Sequence, residues 1–168
     1  MNVDNDSWVL LIYKIPPHPT RLRLQIWRRL QRLGALYLQD AVCILPARPD
    51  LVENMQYVAE TIAEMNGTYH LFSADTLFPE DSKRIQSDFQ LLASARFDEI
   101  DSSLSSIELG LEDGSPQRLE RGDEEFRRER TAYLKARKIA YFGAENESSV
   151  EGHLDELQHA LEQSPHRK

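Results

Sequence analysis

Cysteine is nearly absent from this chain, and the shortage excludes more than any motif asserts. A single residue, Cys43, leaves no partner for an intrachain disulfide and too few thiolates for a cysteine-based zinc cluster. No apolar run approaches the roughly 18 residues of a membrane helix. Met1–Asp6 is acidic and polar, the wrong composition for an export signal. These absences fit a cytoplasmic protein without a membrane partner. Catalytic punctuation is missing as well: there is no Gly-rich phosphate loop, no nucleophile elbow and no HExxH. His18, His70, His153, His159 and His166 are scattered, and His153 and His159 lack the i, i+4 spacing that puts two ligands on one helical face. No catalytic residue, cofactor or metal is expected, so the chain does not read as an enzyme. Cys43 sits between Val42 and Ile44 and reads as an inert structural thiol rather than a redox sensor.

Charge is plentiful and unevenly placed. Ser7–Pro46 carries Lys14, Arg21, Arg23, Arg28, Arg29 and Arg32 against Asp40 alone, a net of +5 in a chain of net −8, which leaves −13 on the remaining residues. An acidic protein with one basic segment is not an indiscriminate nucleic-acid binder. The segment either contacts phosphates or docks on the chain's own acidic helices, and the sequence leaves both readings open.

That segment also holds the most readable architecture. Trp8–Tyr13 is a short apolar run ended by Pro16-Pro17, so it reads as a core strand. Thr20 is the expected N-cap of a helix that Gly34 stops. Leu22, Ile26, Leu30 and Leu33 share one side of it, with Trp27 at the edge, while Arg21, Arg28 and Arg32 stripe the other side, flanked by Gln25 and Arg29. Arg23 falls on the face that should be buried. It either snorkels past the sheet edge or stands as a placed cation at the mouth of a pocket, close to Lys14. Two short strands follow, Ala35–Gln39 and Ala41–Pro46, then a helix over Pro49–Asn66 stopped by Gly67, then a closing strand at Thr68–Ala74. The order β-α-β-β-α-β predicts an α+β fold: a ferredoxin-like unit over residues 1–78, with both helices on one face of a four-stranded antiparallel sheet. His70 is expected to point out from the sheet edge.

Residues 79–168 read as a helical extension. One apolar stripe runs from Ile85 to Leu111, a second through Phe126, Tyr133, Leu134 and Tyr141, and a third through Val150, Leu154, Leu157 and Leu161. Three amphipathic helices predict an antiparallel bundle. The polar stretch Glu112–Gly122 reads as a mobile loop, and the final SPHRK as a fraying end. Arg96, Arg130 and Arg137 lie in or beside the stripes, with Glu99, Asp101 and Glu129 as available partners. The alternative for these arginines is an anion site between the bundle and the sheet.

YKIP, PTRLR, IWRRLQRLGALYLQ and ILP resemble the N-terminal domain of the chromate-resistance regulator family ChrB, densely over Trp8–Pro46 and again at ARKIAYFGAE. Cys43 departs from that pattern, where an aromatic residue is expected. The resemblance implies a chromate-responsive transcriptional regulator or accessory factor of an exporter operon. DNA would be held by Arg21, Arg28, Arg29 and Arg32. The alternative it leaves is a module that does not bind DNA and takes chromate or a related oxyanion at Lys14, Arg21 and Arg23. Longer family members carry a further C-terminal domain, so a homodimer or a separately encoded C-terminal partner is implied. More distantly, the order of elements resembles the middle domain of phenylacetate-pathway repressors and, through it, small CRISPR spacer-acquisition nucleases. Their metal-binding Asp at the end of the first strand is replaced here by Lys14, which cannot bind a divalent cation.

Overall fold

β1 (Ser7–Lys14) forms from a run of large apolar residues, of which Trp8, Val9 and Leu11 are buried. The computed structural model describes residues 7–111 and 116–163. After β1 come α1 (Thr20–Arg32), β2 (Leu36–Gln39), β3 (Val42–Pro46), α2 (Pro49–Glu64), β4 (Thr68–Asp75), α3 (Pro79–Leu111), α4 (Pro116–Ile139) and α5 (Glu147–Gln163). The strands make one antiparallel sheet in the order β2-β3-β1-β4, with β1 paired to β3 on one side and along its full length to β4 on the other.

The two-residue alternation of strands sorts the sheet residues. Val9 and Leu11 of β1 face the same way as Leu45 and Cys43 of β3, and all four are buried. The opposite face carries Ile12 and, on β4, His70 and Phe72, which are exposed. α2 buries Leu51, Met55, Val58, Ala59 and Ile62, lies against β1, β3 and β4, and packs on α1.

Both helix ends depart from the expected capping. Thr20 is the first helical residue of α1 and Pro19 is its N-cap, with no side-chain hydrogen bond to the cap. Gly34 does stop the helix, at φ 71°. At the end of α2 the left-handed residue is Asn66, at φ 58°, and not Gly67. Gly67 is needed for another reason. A Cβ there would lie 2.7 Å from the Lys14 carbonyl oxygen and 2.9 Å from that of Ile62, which accepts the Gly67 N–H at 2.9 Å.

The chain divides into two units, the first ending at Asp88 and the second beginning at Phe89, so the division falls inside α3. In the second unit Phe97, Ile100, Leu104 and Ile107 of α3 meet Phe126, Tyr133 and Ala136 of α4 and all four stripe residues of α5 in one buried cluster. Leu134, expected in that stripe, is 52% exposed. α4 ends at Ile139, before Tyr141. The expected loop at 112–122 is helical from Pro116 onward, while 112–115 and the SPHRK end at 164–168 lie outside the described residues. Its low hydrophobicity concealed an exposed helical face, which ion pairs Arg121–Glu125 and Arg127–Asp123 at i, i+4 support. Gly122 is buried there, and its missing side chain admits Leu111 and Ile107 of α3.

Candidate functional site

The C-terminal end of β1, the start of α1 and the β2–β3 turn enclose a cleft of about 910 Å³. Ala41 makes the turn at φ 57°, an uncommon conformation for alanine, and its carbonyl accepts the N–H of Tyr13 at 3.0 Å. That bond ties the turn to β1. Tyr13 and Tyr37 line the cleft with hydroxyls 2.9 Å apart, and either can donate. Burial raises the pKa of both. The shared hydrogen bond partly offsets the rise at Tyr13 and adds to it at Tyr37, so both stay neutral at ordinary pH.

Lys14 and Arg23 line this cleft, together with Leu24, Trp27, Gln39 and Asp40. Arg23, whose helical angle falls on the apolar side of α1, is exposed, because the first turns of α1 stand beside the end of β1. Lys14, Arg23 and Asp40 make no ion pair among the described residues. Arg21, grouped with Lys14 and Arg23 from sequence, lines a different groove.

That second groove, of about 610 Å³, follows the outer face of α1 between Arg21, Leu24, Gln25, Trp27, Arg28, Gln31 and Arg32. Arg21, Arg28 and Arg32 are exposed, as the helical period requires, and none meets a carboxylate among the described residues. The Nε of Arg32 donates to the Arg28 carbonyl at 3.3 Å. Arg29 leaves the stripe: its guanidinium carbon lies 3.9 Å from the ring centroid of Tyr57, so it braces α1 against α2. Trp27 and Leu24 border both concavities and form an apolar ridge, 49% and 41% exposed. By helical angle Trp27 stands at the edge of the apolar stripe, and no local pattern marks the tyrosine pair. Helical angle cannot say where a sheet ends, and Tyr13 meets Tyr37 only through strand register.

Several arginines of the second unit pair with carboxylates. Arg137 reaches from α4 to Glu147 at 3.1 Å and Glu151 at 3.4 Å of α5. Buried Glu129 pairs with its neighbour Arg128 at 3.3 Å, and Asp101 takes His153 at 2.7 Å. Burial lowers the pKa of Arg96, with Tyr141 and Glu99 acting in the opposite sense. Asn146, preceding α5, donates to the Ser94 carbonyl at 3.0 Å and to Asp98 at 2.6 Å. Gly143, at φ 79°, makes the turn between α4 and α5. Among the described residues no group of three or more His, Cys, Asp or Glu side chains could hold a metal ion.

Cys43 is fully buried in the sheet face, and burial pushes its thiol up to about 12. The thiol should therefore resist Ellman's reagent at pH 8 in the folded protein and react once urea unfolds the chain. The same shift has a sign for stability. The folded thiol keeps its proton while the unfolded one ionises, so Cys43 contributes no pH dependence below about 8.5 and progressive destabilisation from there to about 12. A Cys43→Ala variant should lose that alkaline component, read from urea midpoints across pH. Rapid labelling of the native protein would contradict the buried placement.

A family model described as Protein ChrB, N-terminal, matches residues 23–167. The chain belongs to that family. The ChrB match takes in Arg23, Trp27, Arg28 and Arg32, and it extends through α3, α4 and α5, well past the segment where the resemblance is dense in sequence. Protein ChrB of Cupriavidus metallidurans is 31% identical over 67 residues, 40% of this chain and 21% of that protein. The chain thus spans about a fifth of the length of the curated relative it matches. Among the described residues no helix is long and apolar enough to cross a membrane.

Proposed function

We propose that this chain is a cytoplasmic, non-enzymatic module of a chromate-resistance regulator, and that it grips DNA through Arg21, Arg28 and Arg32. The observation that carries this reading is a row of exposed guanidinium groups with no carboxylate partner among the described residues, on one helix of an otherwise acidic protein. The spacings of seven and four residues set the three about 10 Å and 6 Å apart along the axis, suited to a phosphate backbone. Such a row positions a duplex without reading bases, so sequence preference would come from elsewhere in the assembled regulator. The strand order β2-β3-β1-β4 supports a ferredoxin-like reading of the first unit. The shared core of α3, α4 and α5 supports an antiparallel bundle for the second. The oxyanion alternative is weaker, because Arg21 is apart from Lys14 and Arg23, and Asp40 faces the same cleft.

Titration of a fluorescent duplex across salt tests the reading. Arg28→Ala with Arg32→Ala should weaken binding on every duplex and flatten the salt slope by up to about two units. Stability should move by no more than about 0.5 kcal/mol, as for exposed substitutions generally. A wild-type protein with no salt-dependent binding, or a double variant that unfolds, would remove the proposal.

A further inference from the structure

The cleft at the end of β1 is not used by the row on α1, and its lining is chemically mixed. Cations stand at Lys14 and Arg23, an exposed indole at Trp27, an apolar neighbour at Leu24, a neutral tyrosine pair at the wall, and acceptors at Gln39 and Asp40. A small oxyanion would engage the two cations, leave the aromatic surface idle, and meet the Asp40 carboxylate at close quarters. A cleft of about 910 Å³ has the size of an organic-ligand site. Its charged side chains sum to one positive charge, which suits one phosphate group more than a polyphosphate.

We infer that this cleft binds a nucleotide unit, with its phosphate on Lys14 and Arg23 and its base stacked on Trp27. Asp40 and Gln39 then accept hydrogen bonds from a ring amino group or sugar hydroxyl, a role open to a carboxylate only when the ligand brings donors. The indole provides the stacking surface by which proteins hold bases that are free of a duplex. The site uses Lys14 and Arg23, neither of which belongs to the outer row, so it stands independently of duplex binding through Arg28 and Arg32. A free mononucleotide and an unpaired base of a strand present the same chemistry.

The protein reports on its own site, because its other tryptophan, Trp8, is 2% exposed and Trp27 is 49% exposed. Adenosine 5′-monophosphate should quench the emission saturably, with matching heat in isothermal titration calorimetry, at concentrations where inorganic phosphate does neither. Lys14→Ala with Arg23→Ala should weaken adenosine monophosphate at least about tenfold, since hydrogen bonds to charged groups are the strong ones. The circular dichroism spectrum should not change, as both side chains are exposed. Trp27→Leu should abolish the optical change and reduce the heat. A short oligoadenylate, titrated against the Arg28→Ala, Arg32→Ala variant, separates the two sources: tighter binding than the mononucleotide assigns the site to a strand, and equal or weaker binding assigns it to a free nucleotide. Arg28→Ala with Arg32→Ala should leave the mononucleotide titration unchanged, so loss of duplex binding and loss of this site are read separately. No signal with either ligand, phosphate binding as tight as the mononucleotide, or full affinity in the Lys14/Arg23 double variant would overturn the inference.

Discussion

Truncating Phe97 to alanine should cost about 3–5 kcal/mol of stability. Among the described residues Phe97 is the largest side chain with no solvent exposure, and it lies in the cluster that α3, α4 and α5 share. Its ring sits 5.6 Å from that of Tyr133, tilted by 55°, within the range where aromatic pairs attract beyond their buried area. Alanine would leave a cavity in that shared cluster, and dense cores close such gaps only partly. Urea denaturation followed by circular dichroism measures the loss. A change below about 1 kcal/mol would mean that the three helices do not share this core. Leu134→Ala provides the contrast, because Leu134 is 52% exposed and its loss leaves no enclosed void.

Gly67→Ala should destabilise the first unit by about 1–3 kcal/mol, although glycine to alanine is usually mild. The added methyl meets backbone: the Lys14 carbonyl oxygen at 2.7 Å and the Ile62 carbonyl oxygen at 2.9 Å, with the Ile62 side chain also at 2.7 Å. A side-chain tip could turn away, but a carbonyl in a paired strand cannot move alone. The strain falls on the end of β1 that carries Lys14 into the cleft, so the variant should also weaken any ligand held there. Gly152→Ala is the matched control. Gly152 lies within α5 with nothing within 4 Å of the added Cβ, and there alanine should stabilise by roughly 0.5–1 kcal/mol. If both variants shifted the urea midpoint alike, the close approach at Gly67 would be wrong.

Some features were open to inspection from residue order because they depend on local periods. The stripe Val150, Leu154, Leu157, Leu161 reads as a buried helical face, and all four residues are buried. Arg21, Arg28 and Arg32 fall on one exposed face by angle alone. Gly34 marks the end of α1 because a residue with φ near +70° is usually glycine. The same local reading failed where a residue's environment comes from elsewhere. Residues 116–122 look like a loop by hydrophobicity, yet Gly122 is buried because α3 passes there. Arg29 looks like one more member of the stripe until Tyr57 of α2 takes it.

The sequence by itself determined the order of strands and helices, the buried stripes, the isolation of Cys43 and the asymmetry of charge. Each follows from composition or from a repeat of two or 3.6 residues, which need no knowledge of distant partners. Only the tertiary structure decided that Lys14 and Arg23 share a cleft while Arg21 does not, and that Trp27 stands as a ridge between two concavities. It also decided that Tyr13 meets Tyr37. These depend on strand register and on how far the first turns of α1 stand beside the end of β1, and such distances between elements are set by packing rather than by neighbours in the chain.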